Sequence, residues 1–159
     1  MRDLIRQTGE VLGRQAEAED LVSAYDAGLD ALKTDDTDGP RAAIYAMRGW
    51  TQGERTLSGQ ILKAAGYRNI ATEMGMMSGG ILPLELLALA DPDVVITSQP
   101  YPGYSRAQEF LDHPVVDYLR ARSGQALLSD RDWVCGTPYV LRAVEALAKA
   151  RFSHQQGGQ

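Results

Sequence analysis

From residue 41 onward, short apolar runs alternate with longer segments whose apolar residues recur at helical spacing, and this alternation constrains the fold more than any other feature. The clearest apolar run is VVIT at residues 94–97, and the others lie at residues 41–47, 69–71 and 125–128. Runs of this length are typical of buried strands. Strands that alternate with helices imply right-handed crossovers and a mostly parallel sheet. We therefore predict an α/β chain, a three-layer sandwich with a mostly parallel central sheet flanked by helices.

The first 33 residues lack the strand pattern and are predicted to be helical. We expect a short helix, a break near Gly13 and a longer helix to about Lys33. Further helices are predicted at residues 57–65, 83–90, 113–122 and 138–151. The chain thus divides into a helical segment at 1–33, an α/β unit at 34–152 and a polar tail at 153–159 that we expect to be disordered.

Composition excludes several classes of partner and site. The 159 residues correspond to about one domain, and the formal net charge of −5 argues against nucleic-acid binding and against a polybasic membrane-binding surface. The single cysteine, Cys135, excludes an internal disulfide and a cysteine-rich zinc site. The sequence has no apolar run of membrane-spanning length and does not begin like a signal peptide, so we expect no membrane insertion by this segment.

Known catalytic motifs are absent from the sequence. The glycine-rich segment 75–80 lacks the Gly-Lys-Ser/Thr ending of a phosphate-binding loop, and no serine lies in a nucleophile elbow. No histidine lies near Cys135 in the sequence. The sequence therefore offers no candidate catalytic constellation.

Aromatic and basic residues cluster in the loops predicted to follow the strands. Ligands of parallel sheets bind outside the carboxyl ends of the strands, which places the loops 48–53, 98–104 and 130–137 on one edge. Four aromatic residues lie in these loops: Trp50, Tyr101, Tyr104 and Trp133. Rigid aromatic side chains suit a flat or apolar ligand, and Arg48 and Arg131 are candidates to hold an anionic group. Alternatively, either tryptophan simply covers the end of the sheet, and spacing does not decide between the two.

An ordered set of segments also carries a resemblance to a known family. The segments are LSGQILKAAG at 57–66, LELL at 84–87, DPDVVI at 91–96, HP at 113–114 and WVCGTP at 133–138. Their order resembles the carboxyl-terminal half of the class III periplasmic substrate-binding proteins of ABC importers. That group carries ferric siderophores, haem, cobalamin and related metal complexes, and the resemblance covers nearly the whole chain.

The resemblance implies a two-lobed binding protein, not an enzyme, of which this chain supplies the second lobe. Residues 15–33 correspond to the long helix that connects the lobes. The first lobe and its export signal or lipid anchor are absent from this sequence, so we expect a carboxyl-terminal fragment of an extracytoplasmic, typically periplasmic, protein. The resemblance also implies that Glu85 docks on the membrane permease, that Trp50 faces the ligand, and that Trp133 and Cys135 lie in a loop lining the cleft.

Two departures from the family pattern affect the ligand. Tyr139 follows Thr137-Pro138 where many members have arginine, and glycine and methionine precede Glu85 in place of a bulky aromatic residue. Histidine is nearly absent from the cleft loops, which favours a chelated metal complex over a bare ion or a resident cofactor. Two other hypotheses stay open: a self-contained flavodoxin-like domain that binds a nucleotide or flavin, and an interaction domain with a degenerate cleft.

Overall fold

A parallel sheet forms the centre of the molecule. The computed structural model describes residues 1–34, 38–98, 111–122 and 124–157. The strands of the sheet are β1 (Arg41–Ile44), β3 (Arg68–Asn69), β5 (Val94–Ser98) and β6 (Gly124–Leu128). In the described residues the strand order is β3-β1-β5-β6, and all pairs of this sheet are parallel. Two further strands, β2 (Trp50–Thr51) and β4 (Gly80–Ile81), form a small antiparallel ribbon. The predicted mostly parallel α/β architecture is confirmed.

Helices cover both faces of the sheet. They are α1 (Arg2–Val11), α2 (Gln15–Leu32), α3 (Leu57–Ala64), α4 (Ile70–Glu73), α5 (Leu84–Ala90), α6 (Pro114–Arg122), α7 (Asp130–Trp133) and α8 (Val140–Gly157). The predicted break between the first two helices is present, with Gly13 in the left-handed region at φ +66°. None of the helices in the described residues is both long and apolar enough to cross a membrane. The last helix continues to Gly157, beyond the tail boundary expected at residue 152.

Successive residues of each strand point to opposite faces, and the two faces support separate cores. Ala42 and Ile44 pack with α2, α3, α7 and α8, whereas Ala43 and Tyr45 pack with α4, α5 and α6. The central strands are therefore buried on both sides, which explains why their sequences are continuous apolar runs without alternation.

Three local assignments differ from the sequence prediction. The strand expected over 41–47 ends at Ile44, because the chain enters a short 3₁₀ turn at Met47–Gly49. The strand expected over 69–71 ends at Asn69, and Ile70 and Ala71 belong to α4. The Asn69 side chain accepts hydrogen bonds from the backbone N–H groups of Ala71 and Thr72 at 2.9 and 3.4 Å, so it caps the helix and stops the strand. The loops expected at 48–53 and 130–137 contain β2 and α7 respectively.

Candidate functional site

The strand order reverses direction at β1, which creates a crevice at the carboxyl ends of the central strands. From β1 the chain passes first to β3 on one side and then to β5 on the other. The pairing of β1 with β5 continues past Ile44, because the backbone N–H of Tyr45 donates to the carbonyl of Ile96 at 2.9 Å. Ligands of open parallel sheets bind at such a switch point.

The turn that follows β1 at this crevice has an unusual backbone. Arg48 lies in the left-handed region at φ +61°, and Gly49 follows at φ +73°. The backbone N–H of Ala46 donates to the carbonyl of Trp50 at 2.8 Å and closes the turn. A left-handed conformation costs a non-glycine residue roughly 1–2 kcal/mol. Strain of this kind concentrates at functional sites, where it fixes the direction of a side chain. We call residues 47–50 the edge turn.

The edge turn leads into the antiparallel ribbon, which displays apolar side chains to solvent. Trp50 of β2 lies directly opposite Ile81 of β4, and directly opposed residues share one face of the ribbon. The exposed fractions are 47% for Trp50 and 65% for Ile81, whereas Thr51, on the other face, is fully buried. Met47 is also exposed. The ribbon thus presents an apolar surface beside the crevice.

Charged side chains are distributed unequally between the two ends of the sheet. At the amino end, Glu73 binds the guanidinium groups of Arg41 and Arg68 at 2.9 and 2.7 Å. At the carboxyl end, Arg48 and Glu85 are exposed and form no hydrogen bond or ion pair within the described residues. Glu85 lies in the first turn of α5, where the helix dipole favours a negative charge. The unpaired charges therefore lie at the end where a ligand would bind.

Below the edge turn lies the buried side chain of Tyr45. Burial raises the pKa of the Tyr45 phenol, and the Glu85 carboxylate raises this pKa further. Its hydroxyl is buried and has no hydrogen-bond partner in the described part of the chain. Thr97 of β5, which follows Ile96 on the neighbouring strand, has a second buried hydroxyl without a partner there.

A direct metal centre is not formed by the described residues. No group of three or more His, Cys, Asp or Glu side chains in these ranges is arranged to hold a metal ion. The surface at the crevice consists instead of an exposed aromatic ring, aliphatic side chains and one unpaired guanidinium. Such a surface can contact a flat or apolar molecule and orient an anionic group on it.

Comparison with known protein families identifies the family of the chain. A family profile described as "Periplasmic binding protein" matches residues 1–122. The chain belongs to this family. Its members are substrate-binding proteins of ABC transport and not enzymes, and they act outside the cytoplasm. The predicted family resemblance is confirmed.

Curated relatives of this periplasmic binding protein are longer than the chain. Two strains of Halobacterium salinarum each have a protein named "Cobalamin-binding protein" that is 32% identical over 93 residues. The match covers 58% of this chain and 25% of the relative. The chain is therefore matched to only a part of these relatives.

Solved structures share the fold at low sequence identity. A structure from an Fe3+-hydroxamate transport system of Saccharomonospora viridis has a TM-score of 0.74 at 19% identity, over 94% of this chain and 54% of that chain. A periplasmic haem-binding protein of Pseudomonas aeruginosa has a TM-score of 0.76 at 23% identity, over 96% of this chain and 59% of that one. The chain thus spans little more than half the length of these binding proteins.

The loop over 130–137 is organised differently from the edge turn. Trp133 is only 2% exposed and belongs to the core between α3 and α8. Its indole N–H donates to Asp130 Oδ1 at 3.2 Å, and its carbonyl accepts from the Ser58 hydroxyl at 3.3 Å. Of the two readings left open for the tryptophans, the structure places Trp133 in the core and Trp50 at the exposed edge.

The remaining candidate residues are not brought together with Trp50. The Arg131 guanidinium lies 5.6 Å from the centre of the Tyr139 ring, and Cys135 is an exposed free thiol. Within the described residues, no hydrogen bond, ion pair or ring contact joins either of them to Arg48 or Trp50. Tyr101 and Tyr104 lie outside the described residues.

Two features of the surface were missed by the sequence reasoning. The pairing of Trp50 with Ile81 joins residues 31 positions apart, and two-residue strands give no periodic signal. A groove of about 320 Å³ lies between α1, α2 and the segment 136–138, with Leu4, Leu12 and Leu21 among its lining residues. The lining combines side chains from two helices that are separated by the break at Gly13, so no single helical pattern in the sequence indicates the groove.

Proposed function

We propose that the chain is the second lobe of an extracytoplasmic substrate-binding protein that captures a chelated metal complex for an ABC importer. The observation that carries this proposal is the exposed Trp50–Ile81 pair beside the unpaired Arg48 at the switch point of the sheet. The complex lies against the edge turn, with its apolar face on Trp50 and an anionic or carbonyl group near Arg48.

A chelated complex fits this surface better than a bare ion. A bare divalent ion requires several His, Asp, Glu or Cys ligands, and the described residues offer no such group. Aromatic and aliphatic contacts suit instead the organic part of a complex. The curated relatives named cobalamin-binding proteins and the solved haem-binding and Fe3+-hydroxamate transport proteins support the same class of cargo.

A first lobe completes the binding cleft in this proposal. The chain spans about half of the solved relatives, and its α1 leaves apolar side chains exposed. Val11 and Leu12 of that helix are 86% and 67% exposed. The groove between α1 and α2 is a candidate contact for that lobe, because leucine side chains line it. Closure of the two lobes would exclude water from the cargo.

The Glu85 carboxylate is proposed to dock on arginine side chains of the permease. It is exposed at the start of α5 and lacks an ion-pair partner in the described ranges, so its docking would break no internal bond. Exchange for arginine would place like charges at the contact. Glu85→Arg is expected to abolish importer-dependent uptake while cargo binding stays unchanged, and loss of binding would contradict a docking role.

Equilibrium dialysis of the full-length, two-lobed protein that contains this chain tests the cargo class, because the visible absorbance of each metal complex reports its retention. The panel comprises cyanocobalamin, haemin and a ferric hydroxamate siderophore, with a flavin mononucleotide and ATP for the flavodoxin-like alternative. We expect saturable binding of one metal complex. Retention of the flavin or ATP alone would refute the proposal, and so would no binding at all.

Two variants and one control locate the binding surface. Trp50→Ala removes a contact of about 0.5–1.5 kcal/mol and should weaken binding about three- to tenfold. Arg48→Ala removes a charge-assisted hydrogen bond and should weaken binding by about tenfold or more. Arg142→Ala, which removes a guanidinium stacked on Tyr139 at 4.4 Å on α8, should leave affinity unchanged. Equal losses in all three variants would show that the cargo does not lie at the edge turn.

A further inference from the structure

The hydroxyl of Tyr45 is one of several buried polar groups that have no hydrogen-bond partner in the described residues, and it lies beside the edge turn. Buried hydroxyl groups in folded proteins are almost always hydrogen-bonded, and each exception requires an explanation. Tyr45 is only 1% exposed, and its hydroxyl has no hydrogen-bond partner in the described residues. It lies directly below the edge turn, since a Cβ placed on Gly49 would be 3.2 Å from the hydroxyl oxygen.

The hydroxyl of a second buried tyrosine has a hydrogen-bond partner. Tyr67 is also buried, and its hydroxyl donates to the carbonyl of Leu147 at 3.0 Å. The two phenols thus differ in one respect: the hydroxyl in the core is paired, and the hydroxyl at the carboxyl edge of the sheet is not. The neighbouring Thr97 hydroxyl at this edge is unpaired as well, within the part of the chain that the structure describes.

Gly49 of the edge turn lies next to the Tyr45 hydroxyl, between the two residues Arg48 and Trp50 that are exposed. Gly49 has no side chain to block the hydroxyl, and Arg48 is held in the left-handed region at φ +61°. Because that conformation is unfavourable for arginine, the free energy of the turn falls when Arg48 leaves the left-handed region. A movement of the turn that breaks the 2.8 Å bond from the Leu82 N–H to the Gly49 carbonyl would let Arg48 relax and would uncover the hydroxyl, so contacts with a bound molecule must offset the lost bond.

We propose that the Tyr45 hydroxyl is a specificity-determining hydrogen-bond donor for the cargo, to which it becomes accessible when the edge turn moves. This inference rests on the proposed function and adds the chemistry of the bound group. The accepting atom is an oxygen on the rim of the complex, a carboxamide, carboxylate or hydroxamate oxygen. The phenol is protonated at neutral pH and therefore carries a hydrogen to donate.

The Tyr45→Phe variant separates this role from a structural one. Removal of a hydroxyl that has no partner leaves no group unsatisfied, so the unfolding equilibrium constant should stay the same or decrease. The affinity for a probe with rim oxygens should fall about three- to tenfold, the range of one ordinary hydrogen bond. The probe is cyanocobalamin, whose rim carries carboxamides, measured by equilibrium dialysis alongside chemical unfolding followed by circular dichroism.

Tyr67→Phe is the matched control, since it removes a hydroxyl that is paired. It should raise the unfolding equilibrium constant about three- to tenfold and leave cyanocobalamin affinity unchanged. The opposite effects of two identical chemical changes would establish the inference.

Each of the other outcomes contradicts either the donor role of Tyr45 or the proposed function. If Tyr45→Phe destabilises the fold as Tyr67→Phe does, the Tyr45 hydroxyl is already satisfied in the free protein, for example by an internal water, and the inference is wrong. If Tyr45→Phe binds cyanocobalamin as tightly as the unchanged chain, the donor role alone fails. If the unchanged chain binds neither cyanocobalamin nor the other metal complexes, the proposed function fails and the Tyr45 inference fails with it.

Discussion

The two tryptophans allow the division between core and binding edge to be tested quantitatively. Trp133→Ala removes a side chain that is 98% buried in the core between α3 and α8, since its exposed fraction is 2%. A tryptophan side chain buries roughly 150–250 Å², and at about 25 cal/mol per Å² this gives about 4–6 kcal/mol of lost burial. Partial collapse of the cavity limits the measured loss for Trp→Ala changes to about 3–5 kcal/mol.

Trp50→Ala should have a much smaller effect on the same quantity. Nearly half of its side chain is exposed already, and its main packing partner across the ribbon, Ile81, is exposed as well. We expect a loss of about 1 kcal/mol or less in the free energy of unfolding. The difference between the variants is therefore about 2–4 kcal/mol.

Urea unfolding monitored by far-ultraviolet circular dichroism measures both variants without relying on tryptophan emission. The slope of free energy against urea should be the same in both, so that the midpoints report stability alone. Emission spectra give an independent check, because the remaining fluorophore is exposed in Trp133→Ala and buried in Trp50→Ala. Equal destabilisation by the two changes, or a larger loss for Trp50→Ala, would refute the assignment of Trp133 to the core and Trp50 to the edge.

Three further predictions concern the edge turn, the core and the groove. Gly49→Ala should destabilise the fold by about 1–3 kcal/mol, because residue 49 has φ +73° and its Cβ would be 3.1 Å from the carbonyl oxygen of Leu82. Gly75→Ala, at φ +81° with no atom within 4 Å of the added Cβ, should show only the destabilisation that the left-handed backbone conformation causes. Burial raises the pKa of Tyr67 to about 12, so the stability it contributes is complete below pH 10 and is lost as the pH rises toward 12; Tyr67→Phe should flatten this part of the stability profile. Leu12→Gln should reduce self-association of the isolated chain in sedimentation velocity without lowering its unfolding free energy by more than about 0.5 kcal/mol.

The sequence predicted the elements whose residues carry their own signal. The strand β5 was found because VVIT is a run of β-branched residues bounded by an Asp-Pro-Asp turn, and the helix end at Gly66 because glycine adopts the left-handed conformation, here φ +80°. The assignment of Ile70 and Ala71 to a strand was wrong because it treated Asn69 as an ordinary strand residue. Its side chain caps α4, a local interaction that competes with strand pairing.

The candidate site was less predictable because its geometry depends on distant segments. Trp50 and Trp133 were equivalent in the sequence, since each lies in a segment that follows a strand. They differ in the structure because α7 turns Trp133 toward Ser58 on α3, whereas pairing with Ile81 holds Trp50 on an exposed ribbon. Neither partner lies near its tryptophan in the sequence, so no local pattern distinguishes the two.

The two ends of the sheet differ in whether their arginine side chains are paired within the described residues. At the amino end, Arg41 and Arg68 share Glu73, and the backbone N–H of Arg41 donates to Asp93 Oδ2 at 2.7 Å. These bonds bring β1, β3 and the start of β5 into register, so exchanging them would disturb the fold. At the carboxyl end, Arg48 is exposed without a partner in the described residues, although its backbone is held in an unfavourable conformation. Arginine side chains are paired at the amino end, whereas the guanidinium of Arg48 at the carboxyl end is available to a molecule outside the lobe, and this difference is the reason that we propose cargo binding at that end.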